Sequence, residues 1–140
     1  MFHFPVLLEE SVDFLVHKKV GSYIDCTYGR GGHTQKILET ISSNSQLTSF
    51  DKDSDAIEHA NHIQNTNFKI IQDSFSNINK YFSKDSVDGI LYDLGACSTH
   101  FDDASRGFSF RHNGPLDMRF DTKKGKPLAE IGRASCRERV

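Results

Sequence analysis

The amino-acid sequence predicts an α/β protein whose parallel sheet is covered by helices on both faces. Strand-like and helix-like hydrophobic patterns alternate along its 140 residues, as they do in βαβ units. The strand-like segments are short continuous apolar runs, which are typical of parallel strands buried on both faces. Glycines at positions 29, 31 and 32 follow the first strand. Because right-handed crossovers bring the carboxyl ends of parallel strands to one edge, we expect ligand-binding residues at those ends.

The first predicted elements surround the glycine cluster. Leu7 to Leu15 places apolar side chains at the spacing of an amphipathic helix, and Pro5 lies just ahead of it. The β-prone run 23–27 is the first strand. Thr34 is placed to cap or begin the next helix, in which three apolar residues share one face: Ile37, Leu38 and Ile41.

Three further strands follow along the chain. Leu47 to Phe50 is predicted as the second strand, with a helix after it over about residues 54–63. Phe68 to Gln72 is the third strand, and Ile78 to Phe82 is a short helix. Val87 to Leu94 is the fourth strand and is strongly apolar.

The composition is that of a soluble globular protein. Hydrophobic residues make up 36%, charged residues make up 26%, and the mean hydropathy is −0.51. No apolar run approaches the roughly 18 residues of a membrane span, and the first residues lack the features of a secretory signal. A cytoplasmic location is therefore expected. The net charge of −2 does not indicate a nucleic-acid-binding protein, so such a function would depend on local patches.

The cysteines and histidines predict neither a disulfide framework nor a metal site. Cys26, Cys97 and Cys136 are far apart and form no CxxC pair. His59 and His62 lie one helical turn apart, but no neighbouring residue completes a ligand set.

The last ten residues differ in character from the rest. Ile131 to Val140 has neither helical nor strand periodicity and contains three arginines. We interpret residues 131–140 as a non-native tail that resembles a translated sequencing adapter; a natural frayed terminus is the alternative. The structural domain is therefore assigned to residues 1–130.

The glycine loop and Asp51 together predict a nucleoside-containing ligand. Bare backbone in the loop lets a ligand approach closely, and the start of the following helix favours a carboxylate or phosphate; a tight turn without a ligand is the alternative. Asp51 stands 20 residues beyond Gly31 at the end of a strand, where an acid binds ribose hydroxyls. This spacing fits NAD as well as S-adenosylmethionine (SAM). Phe75 is placed either to stack on an adenine or to join the core.

Asp93 is the candidate acid at the end of the fourth strand. It follows a mainly apolar run, so its carboxylate is expected to project into the cleft. Burial of an unpaired acid is costly, which favours a functional partner. A helix cap or a salt bridge is the structural alternative.

Five sequence blocks resemble those of one family, the ribosomal RNA small-subunit methyltransferase H family, also called MraW. They occur in order over about residues 2–130, and the last and longest is the most specific: PVLLEE at 5–10, DCTYGRGGHT at 25–34, FDKD at 50–53, DGILYDLG at 88–95 and FDDASRGFSFRHNGPLDMR at 101–119.

The resemblance implies a fold, a cofactor and a substrate. The fold is a Rossmann-like class I SAM-dependent methyltransferase, here truncated after about four strands. The reaction transfers a methyl group from SAM to the N4 of a cytidine in small-subunit (16S) ribosomal RNA, so the expected partner is that RNA or the 30S particle. The motifs carry over these cofactor-binding residues: Gly31, Gly32, His33, Asp51, Phe75, Asp93 and His100.

Several positions depart from the family pattern. His100 replaces a usual glutamine beside the cofactor, which affects that contact. Cys97 and Thr99 replace serine and proline, and Phe120 replaces methionine. The family's helical insertion and remaining strands are absent, so the chain is expected to be inactive alone. This absence also predicts that the fourth strand forms an exposed apolar edge, through Ile90, Leu91 and Leu94.

Asp93 and three arginines each have two possible roles. Asp93 is the candidate catalytic residue, which would orient the cytidine N4; holding the methionine part of the cofactor is its other possible role. Arg106, Arg111 and Arg119 would contact RNA phosphate or pair with nearby aspartates, and the structural role is favoured. The alternative functions are the nucleotide-binding half of an NAD-dependent oxidoreductase and a non-catalytic cofactor-binding fragment.

Overall fold

The computed structural model describes residues 5–96 and 98–131. Most of the predicted tail lies outside the described residues, as do Cys97 and Cys136. The chain divides into two compact units after Leu94, and each unit is described by itself.

The first unit contains the predicted four-stranded parallel sheet. Its strands are β1 (Ser22–Asp25), β2 (Gln46–Asp51), β3 (Phe68–Gln72) and β4 (Gly89–Leu91), and their order in the sheet is β3-β2-β1-β4. The chain therefore moves outward from β1 to β3 and then crosses to the other side of β1. This crossover places the topological switch point, where α/β sheets bind ligands, beside the end of β1.

Helices cover both faces of the sheet, as predicted. They are α1 (Leu8–Leu15), α2 (Gly32–Thr40), α3 (Ser54–Ala60) and a 3₁₀ helix (Phe75–Lys80). Tyr23 packs with α1 and α2, whereas its neighbour Ile24 packs on the opposite face with Phe50 and the 3₁₀ helix. Consecutive strand residues point to opposite faces, so β1 is buried on both sides.

Three predicted elements differ by about three residues or more at one end. The helix after β2 ends at Ala60. Beyond it the Ile63 amide donates to the Ala60 carbonyl, three residues back, which forms a tighter turn than an α-helix. The helix predicted over 78–82 is instead the 3₁₀ helix, which begins earlier because the Ser74 hydroxyl accepts the amide of Ser76. The fourth strand is short because the Asp93 amide bonds the Thr27 side chain rather than a neighbouring strand.

The start of α2 also differs from the prediction. Gly31, in the left-handed region with φ of 76°, occupies the N-cap position, and no side chain caps this helix. Thr34 does not cap, because its hydroxyl donates to Asp25 instead.

The exposed apolar surface predicted at the fourth strand is confirmed for two of the three residues, Ile90 within β4 and Leu94 just beyond its end. Within the described part of the chain β4 pairs only with β1, and Ile90 and Leu94 are 40% and 71% exposed. Leu91 was wrongly included, because it packs against the cluster around Val12 and Tyr23.

The second unit contains a short helix and an aromatic cluster that the hydrophobic pattern did not predict. Helix α4 (Ser98–Asp102) is followed by a 3₁₀ turn (Ala104–Arg106). The rings of His100, Phe108 and Phe120 pack together with centroids 5.0 to 5.5 Å apart. His100 is the buried member of this cluster, whereas Phe108 and Phe120 are partly buried.

Candidate functional site

The loop from β1 to α2 folds around two left-handed glycines. Gly29 and Gly31 have φ of 56° and 76°, a conformation that costs other residues free energy. The Gly31 amide donates to the Tyr28 carbonyl at 2.7 Å. The loop therefore reverses within a few residues and begins α2 directly beside the end of β1.

Packing explains the missing side chains at two of the glycines. A Cβ at Gly31 would lie 2.6 Å from the Tyr28 hydroxyl oxygen, and one at Gly32 would overlap the Pro5 ring. A Cβ at Gly29 would meet only the Thr27 carbonyl oxygen, at 3.9 Å. Ligand approach is the predicted reason for all three glycines, and packing within the protein is a second reason at positions 31 and 32.

Asp51 ties this loop to the end of β2. One carboxylate oxygen accepts the Gly29 amide at 2.8 Å, and the other accepts the Asp53 amide at 2.9 Å. Each carboxylate oxygen can accept a second hydrogen bond. Asp51 thus fixes the glycine loop and keeps acceptor capacity for a ligand. Sequence spacing placed Asp51 at this edge but missed its bond to the loop.

His33 and Asp93 meet across the ends of β1 and β4. His33 is buried, with Nε2 3.2 Å from the Val6 carbonyl oxygen and Nδ1 3.7 Å from an Asp93 carboxylate oxygen. The Asp93 backbone is held in turn, because its amide donates to the Thr27 hydroxyl at 2.9 Å. The first turn of α2 and the end of β4 are therefore joined at this edge.

Asp93 is not the buried acid that the apolar run predicted. Its side chain is 45% exposed, because β4 ends at Leu91 and the chain leaves the sheet before reaching Asp93. The desolvation argument for a partner therefore does not apply. The salt-bridge alternative fits the geometry, because a protonated His33 would form an ion pair with the Asp93 carboxylate.

Phe75 lies at the start of the 3₁₀ helix and contacts the core. Its ring packs against the cluster around Ile24 and Phe50 and meets the Tyr92 ring edge-on at 5.4 Å. Phe75 is only partly buried. This packing supports the core interpretation of Phe75. The exposed part of its ring can still contact a ligand.

His100 belongs to the second unit, where it is buried between Phe108 and Phe120. Apart from Phe75, the first unit brings the other predicted residues to one edge of its sheet: Gly31, Gly32, His33, Asp51 and Asp93.

Asp25 was predicted only as the first residue of the cofactor loop, with no role of its own. Asp25 has no exposed surface, and its carboxylate accepts the Thr34 hydroxyl at 2.7 Å and the Thr27 amide at 3.1 Å. The Thr34 hydroxyl also lies 2.7 Å from that of Ser49. Burial raises the pKa of Asp25, and the Thr34 bond opposes that shift. An acid that ends an apolar strand was the available signal.

Tyr28 joins the glycine loop to α3, a contact that the loop motif did not predict. Its hydroxyl lies 2.8 Å from His59 Nδ1, and burial raises the pKa of Tyr28 to about 12. The tyrosine ring also packs beneath Gly31. It is therefore a neutral support of the loop at physiological pH.

In the second unit, two of the three candidate arginines are structural. Arg106 is buried and donates to the carbonyls of Arg119 and Phe120. Arg119 forms two 2.7 Å bonds to the Asp117 carboxylate, which lower the pKa of Asp117 to about 2. The favoured structural role is confirmed for these two residues, whereas Arg111 is exposed.

Residues 5–96 and 98–131 contain neither a metal-ligand cluster nor a membrane-spanning helix. No group of three or more His, Cys, Asp and Glu side chains is placed to hold a metal ion. No helix in the same residues is long and apolar enough to cross a membrane.

Comparison with known proteins identifies relatives over nearly the whole chain. The model of the MraW methylase family matches residues 1–136. Ribosomal RNA small subunit methyltransferase H of Nitrosomonas eutropha is 49% identical over 131 residues, which cover 91% of this chain and 41% of that protein. The enzymes of the same name from Polynucleobacter asymbioticus and Burkholderia vietnamiensis are 48% and 45% identical, covering 91% and 97% of this chain and 43% and 45% of theirs. The chain thus spans less than half the length of these relatives.

Proposed function

The chain belongs to the MraW methylase family, and we propose that it is the amino-terminal, cofactor-binding part of a SAM-dependent ribosomal RNA methyltransferase. In the proposed reaction N4 of a cytidine in small-subunit ribosomal RNA takes the methyl group as its bond to the SAM sulfur breaks. The sulfur leaves as the thioether of S-adenosylhomocysteine, and a nearby acceptor takes one N4 proton. The observation that supports it most is the junction of the glycine loop, Asp51 and Asp93 at the carboxyl ends of adjacent strands. The expected partners are that RNA or the 30S particle, in the cytoplasm.

The residues at this edge fit the chemical groups of SAM. The remaining acceptor capacity of Asp51 suits ribose hydroxyls. The half-exposed carboxylate of Asp93 suits the ammonium of the methionine part, and the backbone of Gly31 and Gly32 suits its carboxylate. Phe75 is assigned to the adenine side.

The role of the protein in the reaction is to position and orient. When bound, SAM supplies a sulfonium-activated methyl group. A cytidine N4 is a weak nucleophile, so the alignment of the two reactants accounts for most of the catalysis. Asp93 is proposed to orient N4 or to hold the methionine part, and His33 positions Asp93 through their 3.7 Å contact. His100 is proposed as a further cofactor contact from its position in the family pattern, where it replaces the usual glutamine.

The isolated chain is proposed to bind SAM without methylating RNA. It spans 41% of the Nitrosomonas eutropha relative, so residues outside this chain complete the substrate site in the proposed enzyme. The oxidoreductase alternative predicts the opposite ligand preference, with NAD bound and SAM excluded.

The SAM site is tested by replacing Asp93 with asparagine in the full-length enzyme. Asp93→Asn keeps the side-chain size and removes the charge. We expect SAM affinity or turnover to fall about 10-fold or more, since hydrogen bonds to charged groups are among the strongest. Isothermal titration with SAM and with NAD measures affinity, and methyl transfer to 30S particles measures turnover.

Glu58→Gln is the matched control, because Glu58 is an exposed carboxylate on α3. Normal SAM affinity together with normal turnover in Asp93→Asn would exclude both roles of this residue. Wild-type protein that binds NAD but not SAM would overturn the proposed function.

A further inference from the structure

The second unit projects an aromatic side chain into solvent. Phe110 is 109% exposed, which is as much surface as an extended peptide shows. Among the described residues its ring stacks on no other ring, although Phe108, two positions earlier, packs against three aromatic side chains. The neighbours of Phe110 are polar and exposed, so it does not belong to an apolar patch: Arg111, His112 and Asn113.

The segment that presents Phe110 has a fixed base. We call residues 109–114 the tip. Gly107, with φ of 73°, and Gly114 flank the tip, and a Cβ at either position would overlap backbone atoms of the opposite leg. The Met118 amide also bonds the Arg106 carbonyl at 3.0 Å. The two legs are thus packed backbone to backbone, which holds the tip in place before any partner binds.

The charge of the tip is positive. It contains Arg111 and His112 and no carboxylate. The nearest acid along the chain is Asp117, and the positive charge of Arg119 balances its negative charge through two hydrogen bonds. Within the described residues Arg111 makes no side-chain hydrogen bond or ion pair. Its guanidinium is therefore available to an anionic partner.

An exposed aromatic ring beside an arginine suits an unpaired base joined to its phosphate. Bases stack on aromatic side chains in single-stranded nucleic acids, and arginine contacts the adjoining backbone. A protein partner would instead favour a contiguous apolar patch, which the polar neighbours of Phe110 do not provide. We infer that the tip is a contact for single-stranded RNA, in which Phe110 stacks on an unpaired base and Arg111 binds a phosphate. This inference deepens the proposed function, since it takes RNA as the substrate class.

The test uses the full chain and a fluorescein-labelled single-stranded RNA of about twelve nucleotides. Fluorescence anisotropy without SAM gives the Kd at several salt concentrations. We expect Phe110→Ala to raise the Kd about 5- to 100-fold, the effect of losing one stacked base. Arg111→Ala should reduce the slope of log K against log salt by about 0.7, the value for one phosphate of a single strand.

Two further variants separate stacking from hydrophobicity. Phe110→Tyr keeps the π-face and should bind like wild type, whereas Phe110→Leu keeps an apolar side chain and should bind as weakly as Phe110→Ala. Duplex RNA should compete poorly, because its bases are already paired. The matched controls are Phe14→Ala, an 89% exposed phenylalanine of the first unit, and Lys84→Ala, an exposed cation there.

The outcomes distinguish this inference from the proposed function. Equal RNA affinity in Phe110→Ala and Phe14→Ala would overturn the inference, as would wild-type affinity in Phe110→Leu. If Phe110→Ala abolished self-association but left RNA binding unchanged, the tip would be a protein contact. That result would also overturn the inference. A chain that binds RNA through the tip but does not bind SAM would contradict the proposed function alone.

Discussion

Asp25 is a carboxylate with no exposed surface beside the candidate cofactor site. Burying a charge is costly unless hydrogen bonds compensate, and here the Thr34 hydroxyl and the Thr27 amide provide them. The same bonds attach the first turn of α2 and the end of β1 to one side chain. The Thr27 hydroxyl extends this attachment to the Asp93 amide. We interpret Asp25 as a positioning residue for the loop.

The raised pKa of Asp25 gives a pH-dependent prediction. Its folded-state pKa lies above the unfolded value of 3.8 because of burial, so folding favours the protonated form. The stabilisation is complete below the unfolded pKa and is lost as the pH rises through the folded pKa. We expect wild type to gain most in stability over Asp25→Asn at a pH below 3.8, and this gain to decline as the pH rises. Urea denaturation of both proteins at a series of pH values, from below 3.8 upward, measures the difference.

The comparison with Asp25→Asn is needed because other carboxylates shift in the opposite direction. Hydrogen bonds from Asn77, and from Lys18 and Arg119, lower the pKa values of Asp73, Asp88 and Asp117 respectively. These groups destabilise both proteins equally as pH falls, so they cancel in the difference. A difference that stays constant or grows with rising pH would contradict the assigned direction for Asp25.

At the level of the elements, the glycine loop is a packed junction between α1, β1 and α2. Gly32 leaves room for Pro5, which precedes α1, and Gly31 leaves room for the Tyr28 ring. Tyr28 is in turn bonded to His59 of α3. The loop conformation is therefore set by three helices and two strands before any ligand binds.

Gly32→Ala tests this junction. The added methyl group would overlap Pro5, so we expect destabilisation of about 1–3 kcal/mol, the usual cost of overpacking. Gly95→Ala is the matched control, because a Cβ there meets none of the described atoms within 4 Å, and it should change stability by less than about 0.5 kcal/mol. Chemical denaturation of both variants gives the comparison.

A double-mutant cycle with Pro5→Ala identifies the cause. If the overlap with the Pro5 ring is responsible, Gly32→Ala should cost less in the Pro5→Ala background. Equal cost in both backgrounds would mean that Gly32 is required for another reason.

For the whole molecule, the main liability is the edge at β4. Parallel sheets are normally covered by helices on both faces. Here β4 is an edge strand of the described sheet, and two apolar side chains at this edge, Ile90 and Leu94, are exposed. Unpaired apolar edges promote association.

Ile90→Lys should therefore reduce self-association. A charge on an edge strand disfavours pairing with a second edge, so concentration-dependent light scattering of the chain should fall. Val20→Lys is the control, because Val20 is 59% exposed and precedes β1 rather than lying on an edge strand. Equal reduction by both variants would attribute the effect to net charge alone.

Much of the fold followed from the sequence because its signals are local. Alternating apolar runs and turn residues predicted all four strands, and Phe68–Gln72 has the predicted bounds. The ends of elements were less predictable, because side chains from elsewhere determined them: Thr27 binds the chain just beyond β4, and Asp25 takes the hydroxyl of Thr34 that was expected to cap α2.

By itself the sequence determined the strand order along the chain, the glycine loop and the position of Asp51 at a strand end, and its motifs indicated the family. Only the tertiary structure decided that Asp93 is half-exposed, that Asp25 is buried and that Arg111 remains available while Arg106 and Arg119 do not. The reason is physical. Periodicity records how each residue relates to its near neighbours, whereas burial and hydrogen-bond partners depend on which distant segments pack together.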